Sequence, residues 1–366
     1  MFLMATATFP ASSSTVGTPT AHTRFLHVAN GTSVTMTLEA AGVPGIRSIW
    51  ADPLHDGPVP GGLNDDELLD VRRRHLAGLV DANGVWDGDD PSLDPVNDLR
   101  EWRAVIERHE SYDELILWFE HDLFDQLNLI QLLTWIRGHL PANTPVSLVC
   151  IGSFPGRPAF KGLGELVPEE LASLLDARQP VTDAQYALAQ RAWQAFRQPT
   201  PEALDELRRG DTSPMPYLAD AVTRFLQEYP WTRDGLSRSE RRLLELAGSD
   251  GIALWGAFPL MGEGERSYHV TDLALADLAT TLSTTSPPLL TLDLSGVPQG
   301  HVLKGRVTLT DAGRSVLAGQ MDRVATCGID RWFGGVHVVS GLSRTGVQRR
   351  FPVWRWDETS QRVTLG

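Results

Sequence analysis

The stretch YDELILWFEHDLFDQLNLIQLLTWIR, Tyr112 to Arg137, decides the fold class. Leu115 to Phe119 is a run of five large apolar residues, the pattern of a strand buried on both faces in a parallel sheet covered by helices. Glu120, His121 and Asp122 follow at its carboxyl end. From Leu123 to Ile136 the apolar residues fall almost all round a helix, so that helix is expected to be buried. Asp122, Asp125 and Gln126 stand three and four residues apart, on one face of its first turn. A polar cluster is thus gathered where a strand hands over to a helix. Open α/β sheets bind ligands at such strand ends, and helix N-termini present free N–H groups.

Two readings of this cluster stay open. In the first, Asp122 is an N-cap and Asp125 the N3 carboxylate, both favoured by the helix dipole. Capping leaves Glu120 and His121 unexplained, because three consecutive ionisable side chains after a buried strand are costly unless they meet water or a ligand. The second reading is therefore a site, with which capping is compatible.

Upstream, Arg24 to Ala29 reads as a first strand, followed by Asn30-Gly31-Thr32-Ser33 and a helix to about Ala41. Asn-Gly permits positive φ, and Thr32 or Ser33 is placed to cap the helix, which makes Asn30, Gly31 and Ser33 candidates for ligand contact. Neither GxGxxG nor a P-loop occurs. Arg47 to Ala51 reads as a second strand ending in Asp52-Pro53-Leu54-His55-Asp56-Gly57-Pro58. A parallel sheet would bring Asp52 beside Asn30 and Glu120, while His55 and Asp56 fit a solvated turn. Asp65 to Leu79 is a charged amphipathic helix whose Arg72-Arg73-Arg74 run is expected on a solvated face. Val80 to Asp98 is a loop rich in Asp, Gly and Pro without the ligand pattern of a calcium loop, and Leu99 to His109 is a helix.

Downstream, Val146 to Ile151 is a fourth strand ending in Gly152-Ser153, and residues 165–230 are mostly helical. Ser237 with Glu240 forms a capping box opening a helix over Arg238 to Ala247. A helix near Asp272 to Leu282, strands at Leu289 to Leu292 and Arg306 to Leu309, and the closing helix Asp311 to Gly319 have a winged-helix order. Its second helix, DLALADLATTL, holds no Lys or Arg, which speaks against reading DNA through it. In the tail, Arg331 and His337 are candidates to meet an anion, with a strand packed through Trp332 and Phe333 as the other reading.

The chain of 366 residues carries a formal charge of −14, unevenly spread. Residues 231–366 hold 15 Lys/Arg and 14 Asp/Glu, so nearly all the acidity lies before them, which excludes a broad nucleic-acid surface there. Cys150 and Cys327 lie far apart without a CxxC pair, against a disulfide framework or a cysteine zinc site, and point to a cytoplasmic protein. Met1 to Thr20 lacks the basic and apolar regions of a signal peptide, and no stretch approaches the ~20 apolar residues of a membrane span.

The stretches HVANGTS, WADPLHDGPVP, LWFEHDLFDQLNLIQLL and DRWFGGVHV resemble a bacterial family catalogued as domain of unknown function 1835. The resemblance runs through most of residues 24–340 and rests most specifically on FEHDLFDQLNL. It implies a neighbouring carboxyl-terminal region, in members sometimes labelled sigma-factor-like, and no settled activity. Family members often have Asp where this chain has Thr32, so the resemblance carries no carboxylate role to that position.

The expected organisation is an α/β protein: a disordered leader over 1–22, a Rossmann-like parallel-sheet domain over 23–160, a helical region over 161–232, a winged-helix-like domain over 233–325 and a strand-rich tail over 326–366. The expected function is a hydrolase or transferase acting on a phosphorylated or nucleotide-like small molecule. His121 would be the general acid or base, with Glu120, Asp122 and Asp52 as its catalytic partners. Glu120 and Asp122 would hold a divalent cation, magnesium or manganese, since carboxylates with one His favour a hard metal. Asn30, Gly31, Ser33, Asp125, Gln126, Arg331 and His337 would contact the small anionic substrate. No nucleophile elbow and no HExxH occurs. The alternatives are a ligand-sensing regulator binding nucleic acid or polymerase through its carboxyl-terminal domain, and an inert interaction protein.

Overall fold

The computed structural model describes residues 24–83, 95–298, 301–342, 348–349 and 352–366. The leader and the centre of the Asp/Gly-rich loop lie outside the described residues. In chain order the first elements are β1 (Phe25–Ala29), α1 (Thr32–Ala40), β2 (Ile46–Ile49), β3 (Gly57–Pro58), α2 (Asp65–Asn83), α3 (Pro95–Glu107), β4 (Glu114–Glu120), α4 (Leu123–His139) and β5 (Val146–Ile151). Then come α5 (Pro168–Ser173), β6 (Gln179–Pro180), α6 (Asp183–Phe196), α7 (Glu202–Arg209), α8 (Leu218–Leu226) and α9 (Arg238–Ala247). The remainder is β7 (Ile252–Ala253), α10 (Leu254–Met261), α11 (Asp272–Thr284), β8 (Leu290–Asp293), β9 (Arg306–Leu309), α12 (Asp311–Leu317), α13 (Arg323–Cys327), β10 (Ile329–Gly334), β11 (Val336–Leu342), β12 (Gln348–Arg349), β13 (Trp354–Asp357) and β14 (Arg362–Leu365). No described helix is long and apolar enough to cross a membrane.

The chain divides into two compact units, one built on residues up to Asp52, Gly88–His121 and Asp125–Gln190, the other on Pro53–Asp87, Asp122–Phe124 and Arg191–Gly366. The first is mixed α/β, with a five-stranded sheet in the order β2-β1-β4-β5-β6. Its first four strands are parallel and β6 runs antiparallel to β5. Ala29 pairs with both Ile49 and Trp118, and Glu120 pairs with Ile151, so four strands end on one edge. That edge collects the turns beginning at Asn30, Trp50, His121 and Gly152.

The apolar run of β4 is buried on both faces, as its composition demands. Ile116 and Trp118 point into a cluster with Ala29, Val34, Leu38 and Leu171, contributed by α1 and α5 among others. α4 is buried from Leu123 to Ile136 except at Phe124 and Thr134, which are half-buried. A helix apolar all round finds partners only inside a core.

The sheet also buries an imidazole. His27 has Nδ1 accepting from Trp118 Nε1 at 3.1 Å, which leaves Nε2–H to donate to the Pro44 carbonyl at 3.1 Å. Burial is the main cause that lowers the His27 pKa, with the charges of Arg47 and Arg178 adding to it against the Pro44 bond. The folded protein therefore binds fewer protons than the unfolded chain below the ordinary histidine pKa. Stability is expected to be full above about pH 6.5 and to fall as the pH drops below it, a decline that urea titrations should find reduced in His27→Gln.

The second unit has its own core, in which Leu243, Leu244, Leu275, Ala279, Leu290, Val307 and Val316 are buried together from α9, α11, β8, β9 and α12. β8 and β9 form an antiparallel pair that β7 extends to three strands. A second sheet has the order β12-β11-β10-β3. Through it the Asp52–Pro58 loop and the tail become neighbours: Phe333 pairs with Gly57 and Gly334 with Pro58. Both glycines have positive φ, and a Cβ would collide with the His75 ring at Gly57 or with Phe196 at Gly334. Only glycine lets the two segments close.

Several local expectations are corrected. Gly31 is extended rather than in the positive-φ region, and α1 starts after it with no side-chain cap from Thr32 or Ser33. His55 is buried at 9% exposure rather than lying in a solvated turn, and Asp56 is half-buried against His75 at 3.1 Å. Arg72 leaves its exposed neighbours Arg73 and Arg74 to donate to the carbonyls of Asp56 and Pro53, at 2.7 and 3.0 Å. The guanidinium satisfies the loop's backbone acceptors, a role for which a charge run gives no signal.

Candidate functional site

The turn from β4 into α4 gathers Glu120, Asp122 and Asp125, all buried, with one carboxylate oxygen from each lying within 4.8 Å of the others. The sequence dictates the arrangement locally. Glu120 is the last residue of the central strand, Asp122 stands immediately before the helix, and Asp125 lies in its first turn. Asp125 Oδ1 accepts from the Glu120 backbone N–H at 2.7 Å, and its Oδ2 accepts from the Asn30 side-chain amide. Gln126 Nε2 donates to the Glu120 carbonyl at 2.6 Å. Asp125 and Gln126 thus fix the backbone that carries Glu120, and Asn30 ties that fixture to the end of β1.

The Glu120 carboxylate is held from the other side. Its Oε1 accepts from the Leu163 N–H at 2.5 Å. A Cβ at Gly162 would occupy the place of this carboxylate, although Gly162 itself is extended and under no backbone strain. Glycine is needed there for close approach alone. His121 is half-buried and tilted against Phe160, with ring centroids 6.3 Å apart.

Asp52, 3% exposed, is anchored by an unpredicted residue. Asn128 Oδ1 accepts from the Asp52 N–H and Asn128 Nδ2 donates to the Asp52 carbonyl, both at 2.9 Å. Asn128 lies on α4, one turn after Asp125. Ser33 is half-buried on the first turn of α1, and a Cβ at Gly164 would stand 3.1 Å from its hydroxyl. Asn30, Gly31, Ser33, Asp52, Glu120, Asp125 and Gln126 all belong to the first unit. Asn128, Gly162 and the Leu163 N–H complete its polar rim. Asn128 stands three residues after Asp125, the same spacing that picked out Asp125 from Asp122, and so was readable; Gly162 lies in a loop that carries no pattern.

Arg331 and His337 lie in the second unit. His337 is exposed, bonds Asp330 at 2.7 Å and stacks on Trp332 with centroids 4.4 Å apart. Arg331 stands 3.9 Å from Glu228 and over the Phe333 ring, beside a cavity of about 1070 Å³. Burial would push the Glu228 carboxyl up, but the charges of Arg224 and Arg331 with bonds from Ser239 and Arg224 bring it down to about 2. Burial acts the same way on Asp56, which the His75 bond and charge, with Arg331 and His55, hold well below the usual carboxylate range.

Chemically, the strand–helix turn offers hard oxygen ligands beside an imidazole, in a setting largely closed to water. Two unit charges about 5 Å apart at an effective dielectric of about 20 repel by roughly 3 kcal/mol. Three neighbouring carboxylates are therefore matched to a divalent cation, and to a hard one. No protein-family model and no curated protein matches the chain.

Proposed function

We propose that the protein is a metal-assisted hydrolase or transferase acting on a phosphorylated or nucleotide-like small molecule at the carboxyl rim of a Rossmann-like sheet. One observation carries this reading: three buried carboxylates, from Glu120, Asp122 and Asp125, converge within 4.8 Å at the end of the central strand. Glu120 and Asp122 would hold magnesium or manganese, with Asp125 positioning them. His121 would move the proton, since imidazole titrates closest to neutrality. Asp52 would orient the nucleophile, and Asn30, Ser33 and the free N–H groups of α1 would receive the phosphate. The family resemblance through FEHDLFDQLNL fits this picture without adding a mechanism.

In the same reading the α9–α12 part of the second unit is winged-helix-like and serves protein contact. Its α11 carries no Lys or Arg, which favours the enzyme over a DNA-binding regulator. The test is a screen of sugar phosphates and nucleotides for phosphate release by the full chain. Turnover is expected to require Mg²⁺ or Mn²⁺ and to fall at least a hundredfold in His121→Ala while the circular dichroism spectrum stays native. Turnover unchanged by EDTA, or unchanged in His121→Ala, would contradict it, and salt-dependent retention on DNA without turnover would move the assignment to the regulator.

A further inference from the structure

One carboxylate of the second unit gathers three guanidiniums. Asp205, in the first turn of α7, has a side chain only 3% exposed; Arg208 and Arg209 follow it on the same helix, and Arg362 reaches it from β14. The three do not share it equally. Arg208, 8% exposed, donates from Nε and Nη2 to Asp205 Oδ1 at 2.9 and 2.6 Å and lies over the Trp356 ring. That ion pair by itself neutralises the carboxylate. Arg209 and Arg362 are left on the other oxygen, Oδ2, at 3.4 and 3.5 Å, which is contact between charges and longer than a good hydrogen bond. Among the described residues the Arg362 guanidinium makes no hydrogen bond, and that of Arg209 makes one, from Nε to the Asp205 carbonyl at 3.0 Å. Two positive charges are therefore in excess, on side chains that are 38% and 50% exposed. The neighbouring carboxylates do not cancel them. Asp357, opposite Arg362 across the β13–β14 pair, accepts from the Thr359 N–H at 2.8 Å and the Ser360 hydroxyl at 3.0 Å, while Glu358 pairs with Arg233 at 2.9 Å. Among the described residues Glu206 forms no ion pair with any of the three arginines.

A second observation comes from the backbone beside Arg362. Gln361 has a φ of 54° and is the one non-glycine residue with positive φ among the described residues. The closing place of such a hairpin turn is usually filled by Gly or Asn, because a longer side chain is strained there. Gln361 is held in it by Arg208, which donates to its carbonyl. Strain of this kind concentrates at ligand clamps and active sites. Here it stands at the point where β14 brings Arg362 to Asp205, so the pairing of the two outer guanidiniums is held from behind by a buried ion pair and a strained turn.

We propose that Arg209 and Arg362 bind a phosphate group, the two excess charges matching its dianion and the guanidinium N–H groups its oxygens, with Arg208 and Asp205 as the buried base that holds them. All four residues lie in the second unit and none belongs to the carboxylate turn, so the site stands whether or not the proposed reaction does. Calorimetry on the full chain tests it with inorganic phosphate in EDTA, at an ionic strength held constant with chloride, so that no cation at the carboxylate turn carries the phosphate. One saturable site is expected, and acetate should bind at least tenfold more weakly. Arg209→Gln and Arg362→Gln should each weaken phosphate at least tenfold, whereas Arg73→Gln, which removes the same charge from another exposed arginine, should bind it as the native protein does. Without phosphate the Arg209→Gln and Arg362→Gln proteins should melt where the native protein melts, because Arg208 keeps Asp205 paired; phosphate should raise the native melting point and leave theirs unchanged. A phosphate monoester bound as tightly as the free ion names an esterified ligand and one bound tenfold more weakly names the ion itself, and both fit the proposal. No saturable binding at millimolar phosphate, equal binding of acetate, or native affinity in either variant would each overturn it. So would variants that melt well below the native protein without phosphate, since the two arginines would then serve the fold alone.

Discussion

Trp118→Ala is expected to lower the stability of the protein by about 4 kcal/mol, the usual cost of emptying a buried indole site. Trp118 is fully buried in the central strand, packs among Val34, Leu38 and Leu171, and donates to His27 Nδ1. Its removal leaves a cavity between sheet and helices and an imidazole nitrogen without its donor. The sheet is bounded by helices whose backbones are fixed by their own packing, so collapse into the cavity should be partial. Trp118→Phe keeps most of the volume and loses the hydrogen bond, and should cost nearer 1 kcal/mol. Urea denaturation of both variants separates the packing contribution from the polar one. Since whole domains are stable by only about 5–15 kcal/mol, the alanine variant should be visibly less soluble on expression.

Asn128→Ala is expected to cost about 3 kcal/mol, because it strands two buried backbone groups at once. The Asp52 N–H and carbonyl both end on the Asn128 amide at 2.9 Å, and alanine offers neither partner. The loss has a functional face: Asp52 is released from its fixed place on the rim. Hydrogen exchange at the Asp52 amide should accelerate by orders of magnitude, while amides in the middle of β4 change only with the global stability. A cost below about 1 kcal/mol would mean that water replaces the amide without penalty, and Asp52 would then be a poor candidate for a positioned group.

The contrast between these residues shows what was legible in the sequence. The parallel sheet could be read from Leu115–Phe119 because a strand covered on both faces needs an unbroken apolar run, and β4 carries such a run. The polar turn after β4 could be read because helical spacing places Asp122, Asp125 and Gln126 together whatever the rest of the chain does. Long-range partners could not. That Asn128 would hold Asp52, Arg72 the loop carbonyls, or Gly162 the Glu120 carboxylate depends on how distant segments meet, and side-chain type alone is silent on that. The expected solvated turn at His55 and Asp56 failed for the same reason. Pro and Gly marked a turn correctly, but the strand pairing of Gly57 with Phe333 makes it an interior one. The expected cap on α1 failed because a Thr or Ser at the start of a helix caps only when its own backbone is the extended residue, and here Gly31 holds that place.

The proposed activity requires Glu120 and Asp122, positioned by Asp125, to hold a cation. The most direct measurement is electron paramagnetic resonance of Mn²⁺ titrated into the full chain after EDTA treatment, compared with Asp122→Asn. Asparagine caps a helix as well as aspartate does, so this substitution removes a metal ligand while leaving the start of α4 intact. The prediction is one tightly held Mn²⁺ per chain in the native protein, displaced by Mg²⁺, and at least tenfold weaker binding in a folded Asp122→Asn. Mn²⁺ that stays free at millimolar concentration in the native protein, or binds both proteins alike, would show that the three carboxylates serve the fold alone.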